Sequence, residues 1–262
     1  MASLKSSQGA TAGMLAGYWR ASTRPIVCLV FVAPMLMAYE GGLLFWPQAM
    51  RNGADVWLRR LLELAGFSQY LLLPLLTCGI LLGWHHLRHD TWKIRGNVLY
   101  GMFIESMTLG FLLVAVGQVQ GLLLNELTAT RELPTHCAIV NEGSFLVRAS
   151  AFFGAGIYEE LLFRLILLSA LVAVFHRIGI TPKVSCVTAV TLSSLIFAAA
   201  HYQLDLNLGT WHIATSFGDT FQWTSFMFRY SAGMFFSVVF LFRGFGIAVG
   251  SHALYDIFVS FL

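Results

Sequence analysis

Three groups of ionisable side chains stand in sequence that is otherwise apolar. Glu159, Glu160 and Arg164 fall inside the run from Gly154 to Phe175, and His201 closes Phe197-Ala-Ala-Ala-His201. His252 and Asp256 stand four apart within Gly250-Ser-His-Ala-Leu-Tyr-Asp256. A carboxylate close to imidazoles can activate a water, pass its proton to a leaving amine and aim a donor at a developing oxyanion, which is what amide hydrolysis requires. Two imidazoles and a carboxylate are also a zinc ligand set that leaves a fourth position for water, and the same residue types build proton relays in transporters.

Placing these charges in a membrane is costly. Each one near a bilayer centre costs about 2.5–3.5 kcal/mol on an insertion scale, so the 159–164 cluster must be paired or sheltered by protein. In a helix Glu160 and Arg164 share a face and can neutralise each other, whereas Glu159 points about 100° away. An ion pair that only fixes packing explains Glu160 and Arg164 and leaves Glu159 without a reason. Gly154 and Gly156, one turn earlier, permit close helix approach or a local break. Phe197 and His201 are likewise four apart on one face, as are His252 and Asp256.

The elements that carry these groups are membrane helices. Of 262 residues 57% are hydrophobic and 11% charged, against roughly 25% charged in a soluble domain. The expected fold is all-α, a polytopic bundle of about seven transmembrane helices in one membrane domain, with residues 1–144 carrying N-terminal spans and 145–262 carrying the motifs. The spans fall at about 26–45, 67–84, 98–124, 154–175, 184–202, 223–242 and 245–262. Arg243 and Gly244 leave only a tight hairpin between the last two, and Pro182 blocks helix continuation before the fifth. The net charge of +3 is small and dispersed, so nothing marks a nucleic-acid partner or a polybasic lipid-binding tail. Four cysteines without metal-ligand or redox spacing read as small core residues.

Between the first two spans, Asn52 can cap a short helix with Arg59, Arg60 and Glu63 on one side and Trp57 among apolar residues on the other, an interfacial pattern. Glu40, near the end of the first span, reads as a solvated interfacial residue. His85, His86 and His89 read as a wet loop, with a metal site as the alternative. Glu105 either lines the same cavity as Glu159 or snorkels. Residues 125–148 form a polar interruption, a loop or a partly immersed lid, and 203–222 form a loop without Lys or Arg. Seven spans put nine Lys/Arg on the side of the N-terminus and six on the other, which places the N-terminus in the cytoplasm.

The order Glu159-Glu160-x-x-x-Arg164, Phe197-x-x-x-His201 and His252-x-x-x-Asp256 resembles the three signature motifs of the CPBP family of intramembrane proteases. That family includes the CAAX prenyl endopeptidase Rce-like enzymes and bacteriocin-processing and immunity proteins. The resemblance covers about residues 145–262. It implies an endopeptidase of a bacterial cell (inner) membrane that cuts a membrane-anchored protein or peptide near its C-terminus. By the same resemblance Glu159 is the general base, His201 its partner at the water, and His252 with Asp256 the group at the oxyanion. Glu160 and Arg164 support the site and Phe197 packs it. Asparagine suits the position of Asp256 better, so the aspartate is expected one step back, orienting and charging His252 as the acid of a triad does. No cofactor is favoured. Zinc on His201, His252 and either Asp256 or Glu159 is the alternative, and the His-Glu-x-x-His pattern is absent. A non-catalytic scaffold or immunity factor and a proton-coupled transporter are the competing functions.

Overall fold

A computed structural model describes residues 15–45, 51–67, 71–128, 145–203, 205–208, 211–214 and 218–262. Each apolar run predicted as a span contains a helix among the described residues. Helical residues 15–22 precede α1 (Pro25–Phe45), followed by α2 (Gly53–Leu64), α3 (Leu72–Leu87), α4 (Gly96–Thr128) and α5 (Phe145–Glu159). A π-helical segment, Glu160–Leu168, continues α5 into α6 (Ser169–Arg177). Then come α7 (Pro182–Ala199), a two-stranded antiparallel hairpin of β1 (Asp205–Leu208) and β2 (Trp211–Ala214), α8 (Trp223–Arg243) and α9 (Phe245–Val259). Among the described residues four helices are long and apolar enough to cross a membrane: α1, Gly96–Leu123 of α4, α7 and α8; α3 and α9 are shorter apolar helices.

The last helix is the axis of the bundle. It packs on α1, α4, α5 and α8, and from Phe245 to Ala253 every residue is buried. Small residues allow this. A Cβ on Gly246 would stand 3.1 Å from Cα of Cys28 in α1, and one on Gly156 of α5 would stand 2.9 Å from the Val249 carbonyl oxygen. The α8–α9 corner is made at Gly244, whose φ of +82° is left-handed and favours glycine. Pro182 occupies the first turn of α7, where its missing N–H costs nothing.

Several expectations are corrected. The polar interruption is shorter than 125–148, because α4 runs to Thr128 and α5 begins at Phe145; residues 129–144, and with them the proposed lid, lie outside those described. The connecting segment 203–222 contains the β-hairpin, with Tyr202 paired to Asp219 at its base. Of the two expectations for Gly154 and Gly156, close helix approach holds, against Tyr39 and Val249, and the irregularity of the helix comes later, at Glu160.

Two acidic residues also differ from their reading. Glu40 is 7% exposed and accepts from Tyr158 Oη at 2.5 Å and from Arg59 Nη2 at 3.3 Å, because α5 and α2 cover the end of α1. Glu105 does not reach Glu159. Its carboxylate accepts from Tyr18 Oη at 2.6 Å and from Arg243 Nη2 at 2.8 Å, locking the start of the chain to α4 and the α8–α9 corner. His85 is buried against Trp92, with ring centroids 4.5 Å apart. Among the described residues no cluster of three or more His, Cys, Asp or Glu has an arrangement able to hold a metal ion.

Candidate active site

The helix geometry at Glu159 and Glu160 decides where two adjacent carboxylates go. The π-helical turn, a form that recurs at functional sites, begins at Glu160 and sends its side chain into the bundle while Glu159 faces the gap between α7 and α9. Glu160 and Arg164 are 0% and 1% exposed, and their opposite charges are paired. Arg164 Nη1 donates to Glu160 Oε1 at 3.0 Å and Nη2 to the Gly233 carbonyl at 3.2 Å. Its guanidinium lies 4.3 Å from the centre of the Phe197 ring, a cation–π contact strengthened by the dry setting. The ion pair expected from sequence is therefore present, and it anchors α8 and α7 as well.

The imidazoles are oriented through their Nδ1 atoms. His201 Nδ1 stands 2.7 Å from the Phe197 carbonyl oxygen. A carbonyl only accepts, so the ring carries hydrogen on Nδ1 and turns Nε2 outward. That Nε2 lies 3.7 Å from Glu159 Oε2. His252 Nδ1 donates to Glu160 Oε1 at 2.8 Å, and its Nε2 lies 3.8 Å from the same Glu159 Oε2. Both distances are too long for direct hydrogen bonds, but atoms ~3.7 Å apart can each reach a third at ~2.8 Å, which suits one bridging water. Three helices thus turn one carboxylate oxygen and two ring nitrogens toward a common point.

The placement of Asp256 differs from expectation. Its Oδ2 is 3.8 Å from His252 Nε2, on the side of the ring that faces Glu159, so it does not stand behind the imidazole. Glu160 occupies that position. Asp256 follows His252 by one turn of the same helix and meets it at Nε2, whereas Glu160 reaches Nδ1 from the start of the π-helical segment packed against that helix. Protein covers Glu159 and His252 more fully than the other two, whose side chains keep 25% (His201) and 20% (Asp256) exposure, so the cluster is most exposed on the side of His201 and Asp256.

Two contributors were not found from sequence. Phe236 of α8 stacks on His252 with centroids 4.4 Å apart and planes 12° from parallel, fixing the ring that Glu160 orients. An aromatic in an apolar helix carries no signal that separates it from core. The sequence marks Asn52 only as a cap. Its Oδ1 does accept from Ala54 N at 2.8 Å, but its Nδ2 also donates to Glu159 Oε1 at 2.9 Å, across 107 residues of chain.

A carboxylate and two imidazoles brought together from separate helices of a membrane bundle can hold a water between them. Residues 141–258 match the family model for type II CAAX prenyl endopeptidase, Rce1-like. Over that stretch the resemblance to the CPBP family is borne out, and the family is one of CAAX-type intramembrane proteases acting on a peptide or protein in the membrane. No curated protein and no solved structure gives a significant match.

Proposed function

We propose that this protein is a glutamate-type intramembrane endopeptidase. The observation that carries the reading is the convergence on Glu159 Oε2 of His201 Nε2 at 3.7 Å and His252 Nε2 at 3.8 Å, each ring held by a hydrogen bond at its other nitrogen. A water bound between Glu159 and His201 loses its proton to Glu159 as its oxygen attacks the scissile carbonyl carbon. His252, carrying hydrogen on both nitrogens and balanced by Glu160, donates from Nε2 to the tetrahedral oxygen. The proton held by Glu159 then passes, with His201 as relay, to the departing amine, and the C–N bond breaks. Asp256 lies at the open edge, where it meets the substrate or the water.

The substrate is a membrane-anchored protein or peptide, cut near its C-terminus. Nothing in the apolar surfaces requires that it carry a prenyl group. We further propose a bacterial inner-membrane setting with a cytoplasmic N-terminus, from the excess of Lys and Arg on that side. Asn52, the end of α7 at His201 and the start of α8 then lie toward the opposite face. Glu40, level with the site through Tyr158, is 15 residues beyond Pro25, or about 22 Å along α1 from its cytoplasmic start. Cleavage would occur below the non-cytoplasmic surface.

The test is proteolysis of membrane-anchored peptides in liposomes by wild type, Glu159→Gln, His201→Ala and His252→Ala. Each substitution is expected to lower turnover about 10²-fold or more in a folded protein. Undiminished cleavage by Glu159→Gln would defeat the assignment, and absence of cleavage by the wild type across substrates would favour a scaffold or immunity factor of the same fold.

A further inference from the structure

The residues that match the protease family begin at 141, yet one of the partners of Glu159 comes from far outside them. Asn52 is held from three sides. Its Oδ1 caps α2 at Ala54 N, and its backbone N–H donates to Tyr39 Oη at 3.2 Å. Tyr39 Oη donates in turn to Asp55 Oδ2 at 3.0 Å. Asp55, fully buried, also binds Arg51 at 2.8 Å and Arg59 Nε at 2.6 Å. Tyr39 itself sits over Gly154, where a Cβ would come within 2.2 Å of its ring. With Oδ1 committed to the cap, the amide can only present Nδ2 to Glu159, so its orientation is fixed by a bond that has nothing to do with the site.

We infer that Asn52 is a positioning residue for Glu159: it binds Oε1 and so directs Oε2 toward His201 Nε2 and His252 Nε2. This rests on the reading of Glu159 as the general base. The charged and titratable groups around Glu159 are His201 from the end of α7, His252 and Asp256 from α9, and Glu160 and Arg164 from the π-helical segment. The two imidazoles approach Oε2, whereas the amide binds Oε1. Asn52 is the neutral donor at Oε1, and it makes the amphipathic helix α2 part of the site's framework.

Capping and positioning separate by substitution. Asn52→Asp keeps an oxygen for Ala54 N–H and caps as well as asparagine, and at a pH high enough to ionise both carboxylates it has no hydrogen to give Glu159. Asn52→Ser also caps, without the reach of the amide, and serves if the added carboxylate impairs folding. Two readouts are taken on the full chain in detergent: steady-state kinetics on an anchored peptide, and the infrared carboxylate band of Glu159, identified by its loss in Glu159→Gln. In both variants we expect kcat to fall at least tenfold with KM changed less than threefold, thermal stability to be retained, and the Glu159 band to move. Wild-type kcat together with an unmoved band in both variants would overturn the inference. The band is read without substrate. Its displacement in a protein that cleaves nothing would leave Asn52 as the partner of Glu159 while defeating the protease reading.

Discussion

Glu160 Oε1 accepts a hydrogen bond from His252 Nδ1 at 2.8 Å, so the acid behind this imidazole belongs to the residue next to the proposed base and sits on another helix from the histidine. The same oxygen accepts from Arg164 at 3.0 Å. Orientation of His252 and neutralisation of the buried arginine are therefore carried by one carboxylate.

This arrangement ranks the two acids near His252. Glu160→Gln preserves an acceptor for Nδ1–H but removes the balancing charge, and is expected to lower kcat about 10²-fold. Asp256→Asn leaves that hydrogen bond intact and should retain activity within about tenfold. Parallel kinetics of the two variants check the order. A larger loss for Asp256→Asn would return the orienting role to the aspartate. Glu160→Ala is the harsher change, since it strands Arg164 in the interior at a cost of about 3–5 kcal/mol, to be seen as a lower melting temperature.

Chelation tests the water geometry. The separations of 3.7 and 3.8 Å suit a bridging water, and turnover is expected to be unchanged after exhaustive treatment with chelator. Loss of activity restored by zinc would instead give His201 and His252, with Glu159 or Asp256, the task of holding the ion.

Packing of α5 against α9 leaves no room at Gly156. A Cβ there would meet the Val249 carbonyl oxygen at 2.9 Å and the Ala253 Cβ at 3.0 Å, backbone and a short side chain that cannot move aside independently. Gly156→Ala is expected to destabilise the protein by about 1–3 kcal/mol, read as a lower midpoint of unfolding in detergent. Because these helices carry Glu159 and His252, kcat should fall as well.

The pair of Glu105 and Arg243 lies away from the site and separates stability from chemistry. Removing either partner breaks charge-assisted hydrogen bonds shared with Tyr18 and Ser22. Glu105→Ala and Arg243→Ala should each cost about 1.5–3 kcal/mol, with the double variant less than the sum. Per folded molecule, kcat should stay within about threefold of wild type.

Topology has its own test. Single cysteines at Lys93 and at Trp223, on a background without native cysteines, should react with an impermeant thiol reagent from opposite faces of a sealed vesicle. The position at 93 is expected on the cytoplasmic face, and reversal would move the mouth of the site to the cytoplasm.

Hydropathy alone settled that this chain is a bundle of membrane helices, because a run of apolar side chains long enough to cross lipid has no other way to satisfy its backbone. It also marked Glu159, Arg164, His201 and His252, since charges and imidazoles are costly there and stand out against their neighbours. Pairs one helical turn apart, such as Glu160 with Arg164, were legible for the same reason. Only the tertiary structure decided which acid faces which nitrogen: a π-turn that no local pattern announces places Glu160 behind His252 and leaves Asp256 at the open edge. It alone also brought Glu40 indoors and Asn52 to Glu159, contacts spanning 118 and 107 residues. A hydrogen bond between residues so far apart depends on how helices pack, and periodicity within one helix carries no record of its neighbour.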